Sequence, residues 1–284
     1  MTSESKTLRT EKAFIQRALD TQIAYAPHVC TSIGTPGEGW TTAEAFFSDE
    51  KAIDEFLAFE QSLNDGTDLR TAGALLMTDY GYILAAATVP LFAGFGLVAD
   101  LAPSSVALSF YTLEEPHERH VHRSKRAHVR FLTETFWHGQ LSDAADNERF
   151  RCETERHLRP VVSVLHARTT LSKAALWRLA ADAIAGQFLE FGRQFSEVEA
   201  IKTAAMHILK MPGSPLNNRQ LHYFDLTVLD KQDEAFSYTF RQRGGCCRYY
   251  LVKDGELCPT CVLKAPIARD KELRLAMRRH LGVI

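Results

Sequence analysis

Along most of the chain apolar residues recur every three or four positions, and only a few short runs alternate. Phe14, Ile15, Ala18, Leu19 and Ile23 share one helical face within residues 6–25. Residues 30–40, with Gly34, Pro36, Gly37 and Gly39, predict a loop. Thr41 or Thr42 caps the next helix, which Phe46, Phe47, Ile53, Phe56, Leu57 and Leu63 carry to the break at Asn64-Asp65-Gly66. A further helix fills residues 69–87. Val106, Leu108 and Phe110 alternate within residues 105–112 as in a strand, and residues 129–136 do so less cleanly. Helical patterns then cover residues 147–167, interrupted at Pro160, residues 172–194 behind a Ser172 cap, and residues 196–209. Met211-Pro212-Gly213-Ser214-Pro215 is the strongest boundary, and beyond it residues 223–229 and 235–241 predict a hairpin turning at 230–234.

The expected fold is therefore mainly α with a minor β component, an α+β class. A helical body over residues 1–213 would carry a small β-rich element over residues 214–284, the two packed as one unit. One run tests whether the body is a water-soluble core. Residues 80–99 are twenty positions without a formal charge, which is spanning length. Pro90, Gly94 and Gly96 break the run, so it reads as two buried helices meeting at Val89-Pro90 and not as a transmembrane span. Peripheral membrane association through other surfaces stays open.

Charge narrows the partners. Across 284 residues, 33 Lys and Arg stand against 35 Asp and Glu, a net charge of −2, so nothing drives the whole chain toward nucleic acid. The first residues are polar and show no export signal, which makes the cytoplasm the expected compartment. There clustered cysteines read as metal ligands before disulfides.

Four of the six cysteines, Cys246, Cys247, Cys258 and Cys261, fall within sixteen residues as Cys-Cys-x10-Cys-x2-Cys. Arg248-Tyr249-Tyr250-Leu251-Val252 has strand composition and Asp254-Gly255 a turn pair, so the ten-residue gap can run out and return. Gly244-Gly245 lets the backbone approach closely just upstream. Spacing alone leaves a four-cysteine zinc site and a [2Fe–2S] centre equally open, because each takes four thiolates.

The string Arg243-Gly244-Gly245-Cys246-Cys247-Arg248-Tyr249-Tyr250, followed by Cys258-Pro259-Thr260-Cys261-Val262-Leu263-Lys264, closely resembles the C-terminal signature of the FhuF-type ferric-siderophore reductase family. Leu158-Arg159-Pro160-Val161-Val162 and the Leu176-Trp177 helix add a looser likeness upstream. The resemblance implies that Cys246, Cys247, Cys258 and Cys261 ligate a [2Fe–2S] cluster. It also implies one-electron reduction of a ferric siderophore to release Fe²⁺. The partners would be that chelate and an external donor, either a ferredoxin or an NAD(P)H-dependent reductase. The tail after Lys264 and a His-rich segment near residue 120 depart from the family pattern and leave substrate identity open.

No dinucleotide fingerprint or nucleophile–base pair competes with this reading. The alternatives are a non-enzymatic ligand-binding protein knitted by a four-cysteine zinc site, and an iron or redox sensor. Arg243, Arg248 and Lys264 flank the cysteines and are candidate substrate- or donor-docking groups. Residues 117–130 read as a basic loop with five Lys or Arg and four His against one acid, from which His120, His122, Arg123 and Arg126 join the docking candidates. Trp137 and Trp177 read as core aromatics, and Cys30 and Cys152 as buried free thiols.

Overall fold

The predicted helical spacing resolves, in a computed structural model, into eight α-helices and eight strands among the described residues, an α+β fold dominated by helix. Residues 3–117 and 120–283 are described, without the side chains of residues 3–10, 117, 120 and 122. The helices are α1 (Ser3–Tyr25), α2 (Ala43–Ser48), α3 (Glu50–Leu63), α4 (Leu69–Phe95), α5 (Ala144–Thr169), α6 (Lys173–Gln194), α7 (Val198–Leu209) and α8 (Pro266–His280). The strands are β1 (Thr31–Ile33), β2 (Thr41–Thr42), β3 (Leu97–Ala99), β4 (Val106–His117), β5 (His120–Phe131), β6 (Phe136–His138), β7 (His222–Leu229) and β8 (Ala235–Gln242). Asp49 splits the single helix expected from residue 41 to residue 63. Its N–H closes α2 on Ala45 and Phe46, and its carboxylate accepts the N–H groups of Lys51 and Ala52 to open α3.

Helix α4 is the axis of the core and packs against α1, α3, α5 and α6. It is long and apolar enough to cross a bilayer, yet 78% of its most apolar stretch is buried within the protein. The close contact with α6 needs Gly81, where a Cβ would come within 3.0 Å of the Ala183 side chain.

The break expected at Pro90 does not occur, and α4 runs through it as one helix. Proline has no N–H to give the carbonyl four residues back, here that of Ala86. The fully buried Gln22 supplies the missing donor, its Nε2 reaching Ala86 O at 3.0 Å and Val29 O at 2.7 Å. Its Oε1 in turn accepts the N–H and hydroxyl of Thr31 at 3.1 and 2.6 Å. One amide thus repairs α4 and ties it to α1 and β1. Gln22→Leu is expected to destabilise the fold by about 2–4 kcal/mol, since several buried groups lose their partner together. Urea unfolding should show a lower midpoint at unchanged slope.

The segment expected as a basic loop is instead strand β5. It pairs antiparallel with β4 from Val106↔Phe131 to His117↔His120, inside a sheet of order β1-β5-β4-β2. Ala127, Val129 and Phe131 alternate inward, while the charges between them obscure that period in composition. The long cationic stems lie over aromatic rings: Lys125 over Phe59 at 4.6 Å, Arg126 over Tyr82 at 4.8 Å and Arg130 over Trp40 at 4.0 Å. The second expected strand also shifts, ending at Phe131 and restarting as β6, which pairs with β3.

Past α7, Leu216 and Leu221 still belong to the main core. Hairpin β7–β8 and α8 form a smaller core around Leu226, Val228, Leu273 and Met277. Tyr223 on β7 anchors the hairpin to the body by donating its hydroxyl to Ala185 O on α6 at 2.6 Å.

Candidate metal centre

Strand β8 delivers the chain to Arg243, Gly244 and Gly245 directly against α6. Ser172 starts that helix, its hydroxyl accepting the Ala175 N–H at 3.1 Å. Two turns along, α6 presents Asp182, whose side chain is 2% exposed. One oxygen accepts the Gly244 N–H at 2.7 Å, and the other accepts the Gly245 N–H at 2.9 Å and faces Arg243 Nε at 3.5 Å. A Cβ on Gly245 would stand 3.0 Å from the Leu179 nitrogen, and one on Gly244 would collide with the Asn218 side chain. Both glycines are therefore required by proximity. Burial pushes the Asp182 carboxyl above the usual carboxylate range, while Arg241, Arg243 and the two backbone donors oppose the shift.

Arg243 links this anchor to the thiols. Its Nη1 lies 3.8 Å from Cys247 Sγ and 3.6 Å from Cys258 Sγ, one sulfur from each half of the motif. Burial works against its charge, but Asp182 and the two thiols outweigh burial and hold the guanidinium above its usual range. The Arg243 N–H also donates to Thr260 O at 3.2 Å, which brings the second cysteine pair against the first. Cys258 and Cys261 sit on one turn, closed by the Cys261 N–H on Cys258 O at 3.0 Å. Burial raises the Cys258 thiol, neighbouring Cys261 and Cys247 raise it further, and Arg243 lowers it. Cys261 is buried and the other three are half-buried.

The gap between the pairs closes differently from the expected strand and return. Arg248 takes a left-handed conformation at φ 63°, and Tyr249–Leu251 form one 3-10 turn. Tertiary anchors override the strand composition here. The Arg248 Nε reaches Thr71 Oγ1 at 3.2 Å, and its Nη2 pairs with Asp68 at 2.9 Å at the start of α4. The Lys253 N–H donates to Asp65 O at 2.8 Å. The left-handed turn aims the Arg248 N–H at Cys246 Sγ, 3.4 Å away. Tyr249, Tyr250 and Leu251 all remain exposed, so no ring is folded inward by strand alternation.

The donor set is that of a thiolate-ligated metal centre. Cys247 and Cys258 share the Arg243 guanidinium, Cys246 faces the Arg248 N–H, and Cys261 closes the turn that carries Cys258. Such donors stabilise thiolate and bridging sulfide charge. Among the described residues no three His, Cys, Asp or Glu side chains converge on a single ion position.

The other candidates are dispersed. Lys264 pairs with Glu272 on α8. Arg123 pairs with Glu114 at 3.2 Å and lies over Phe59, while Arg126 pairs with Asp79 at 3.5 Å. The side chains of His120 and His122 lie outside the described residues. Trp177 is buried in the core and Trp137 is half-buried beneath Arg149. The buried-thiol expectation needs correction, since Cys152 is exposed and Cys30 only half-buried. Asp182 escaped the sequence reading, although a lone acid within Leu179-Ala180-Ala181-Asp182-Ala183-Ile184 was its one available signal.

Residues 243–263 match the family model of the FhuF 2Fe-2S C-terminal domain. No curated protein and no solved structure matches the chain. The matched segment spans both cysteine pairs together with Arg243, Gly244 and Gly245, the three residues that Asp182 contacts. The cysteine segment over residues 243–263 is thus of the FhuF 2Fe-2S type, and the cofactor it indicates is a [2Fe–2S] cluster.

Proposed function

We propose that this protein is a ferric-siderophore reductase, with Cys246, Cys247, Cys258 and Cys261 as its cluster ligands. The observation that carries the reading is the match over residues 243–263 to a FhuF 2Fe-2S domain, in which Arg243 bridges Cys247 of the first pair and Cys258 of the second. A bound [2Fe–2S] cluster supplies single-electron transfer at potentials set by its charge surroundings. The net reaction is one-electron: chelated Fe³⁺ gains an electron and leaves as Fe²⁺, and an external reductant loses one. Oxygen donors hold Fe³⁺ more strongly than the less charged Fe²⁺, so reduction frees the metal.

The chain's own residues prepare this exchange. Arg243 places positive charge beside two sulfurs and favours the more electron-rich state. Asp182 fixes that guanidinium and the Gly244-Gly245 backbone in one arrangement. The half-buried thiols leave a path for electrons to and from the surface. On this reading the protein works in the cytoplasm, and a ferredoxin or an NAD(P)H-dependent reductase recharges it.

Multiple-turnover assays test the proposal. With a low-potential reductant held in excess, anaerobic protein should convert ferric hydroxamate and ferric citrate chelates to Fe²⁺ trapped by a ferrous-specific chromophore. Turnover that never exceeds the protein-free rate for any chelate would turn the reading toward a sensor.

A further inference from the structure

We propose that the groove running along α6 to Thr260 is where the ferric chelate docks, and that it selects chelates bearing negative charge. The inference rests on the reductase reading and extends it to a site and a substrate class. The groove lies between α4, α6 and β8, and its two lobes, of about 390 and 530 Å³, share Tyr82, Gln187, Glu190 and Arg193. That volume suits a small-molecule site.

Its position is the first argument. One end is walled by Thr260, the residue between Pro259 and Cys261 on the turn that carries the second cysteine pair. Thr260 O also accepts the Arg243 N–H, so this wall belongs to the same hydrogen-bonded unit as the thiols. A chelate seated there shares Thr260 with the turn that carries Cys258 and Cys261.

Its chemistry is the second. Tyr82, Tyr238 and Phe240 supply ring faces; Arg193 is ion-paired with Glu190 and donates to Thr239 O, so the surplus positive charge in the lining is that of Arg241. The Arg193 guanidinium stacks over Tyr238 at 4.2 Å, and Arg126 from the basic strand stacks over the Tyr82 ring at 4.8 Å. Arg241 crosses α6 at Gly186, where any Cβ would strike its guanidinium, and it donates to Asp182 O. A ligand carboxylate can take over the Glu190 side of the Arg193 fork, and the surplus charge of Arg241 attracts an anion. A carboxylate-rich ferric complex meets both conditions, whereas a neutral tris-hydroxamate meets only the ring faces.

Redox-inert gallium separates docking from reduction. Calorimetric titration of the cluster-loaded protein should show gallium(III) citrate binding at least tenfold more tightly than neutral gallium tris(acetohydroxamate). Arg193→Glu is expected to weaken the citrate complex tenfold or more, with the visible spectrum of the cluster unchanged. Glu190→Gln, at an exposed position, should tighten it about threefold or more, which gives a reading even if the charge reversal disturbs folding. Wild-type affinity in both variants, or equal affinity for the two gallium complexes, would overturn the assignment. Unaltered reduction of ferric citrate by both variants would remove the groove and leave the reductase reading standing. Gallium binding that responds to both substitutions, without turnover of any ferric chelate, would instead retain the groove and remove the reductase.

Discussion

Asp182→Ala is expected to abolish stable cluster incorporation while leaving the helical body folded. The carboxylate receives both the Gly244 and Gly245 N–H groups, and it also faces Arg243. Removing it leaves two backbone donors and a buried guanidinium without their acceptor, a loss of about 3–5 kcal/mol for a broken buried pair. That energy falls on the segment leading into Cys246-Cys247, so misplacement of the first pair follows. Iron and sulfide per chain should drop below about half of the two each that a [2Fe–2S] centre holds. Far-ultraviolet circular dichroism should retain its helical signal. Asp182→Asn tests charge apart from shape, because the amide turns one acceptor into a donor that confronts either a backbone N–H or Arg243. Full incorporation in Asp182→Ala would show that the cysteine element holds its geometry without α6.

Arg243→Gln should produce the second large effect, on potential more than on assembly. The guanidinium lies within 4 Å of sulfurs from both halves of the motif, with its side chain 13% exposed. Removing a positive charge there destabilises the electron-rich state, so the midpoint potential falls, by on the order of 50–150 mV for a unit charge in a partly shielded site. Arg243→Lys restores the charge without the fork that spans Asp182 and the sulfurs, and it should recover most of the potential with weaker cluster retention. Spectroelectrochemical titration reads the shift. A potential unchanged within about 20 mV in Arg243→Gln would mean that the charge is screened by solvent and does not set the centre's electronics.

The cysteine element was legible because its chemistry is local. Four thiols in sixteen residues, two glycines and an arginine announce a metal centre without knowledge of what they pack against. Its anchor was not legible, because Asp182 lies about sixty residues earlier on a helix whose pattern reads as pure core. Helix caps at Thr42 and Ser172 were readable for the same local reason, since capping depends on the next three residues. Pro90 misled because its missing hydrogen bond is repaired by Gln22, far away on α1. The basic strand misled in another way. Residues 117–130 carry enough charge to suggest a solvated loop, yet Ala127, Val129 and Phe131 keep the two-residue period. Aromatic rings on neighbouring elements cover the cations between them. Residues 248–252 failed in the opposite direction, as Arg248 gives up strand geometry to reach Asp68 and Thr71.

Single-turnover mixing tests the central claim most directly. Protein reduced by one electron per chain and freed of excess reductant is mixed anaerobically with a ferric chelate, while cluster absorbance and trapped Fe²⁺ are followed together. The account predicts one Fe²⁺ for each cluster reoxidised, on a single time course, and no Fe²⁺ from a Cys258→Ser variant that lacks the centre. Fe²⁺ released at the same rate by that variant, or a cluster that stays reduced in the presence of every chelate tried, would contradict it.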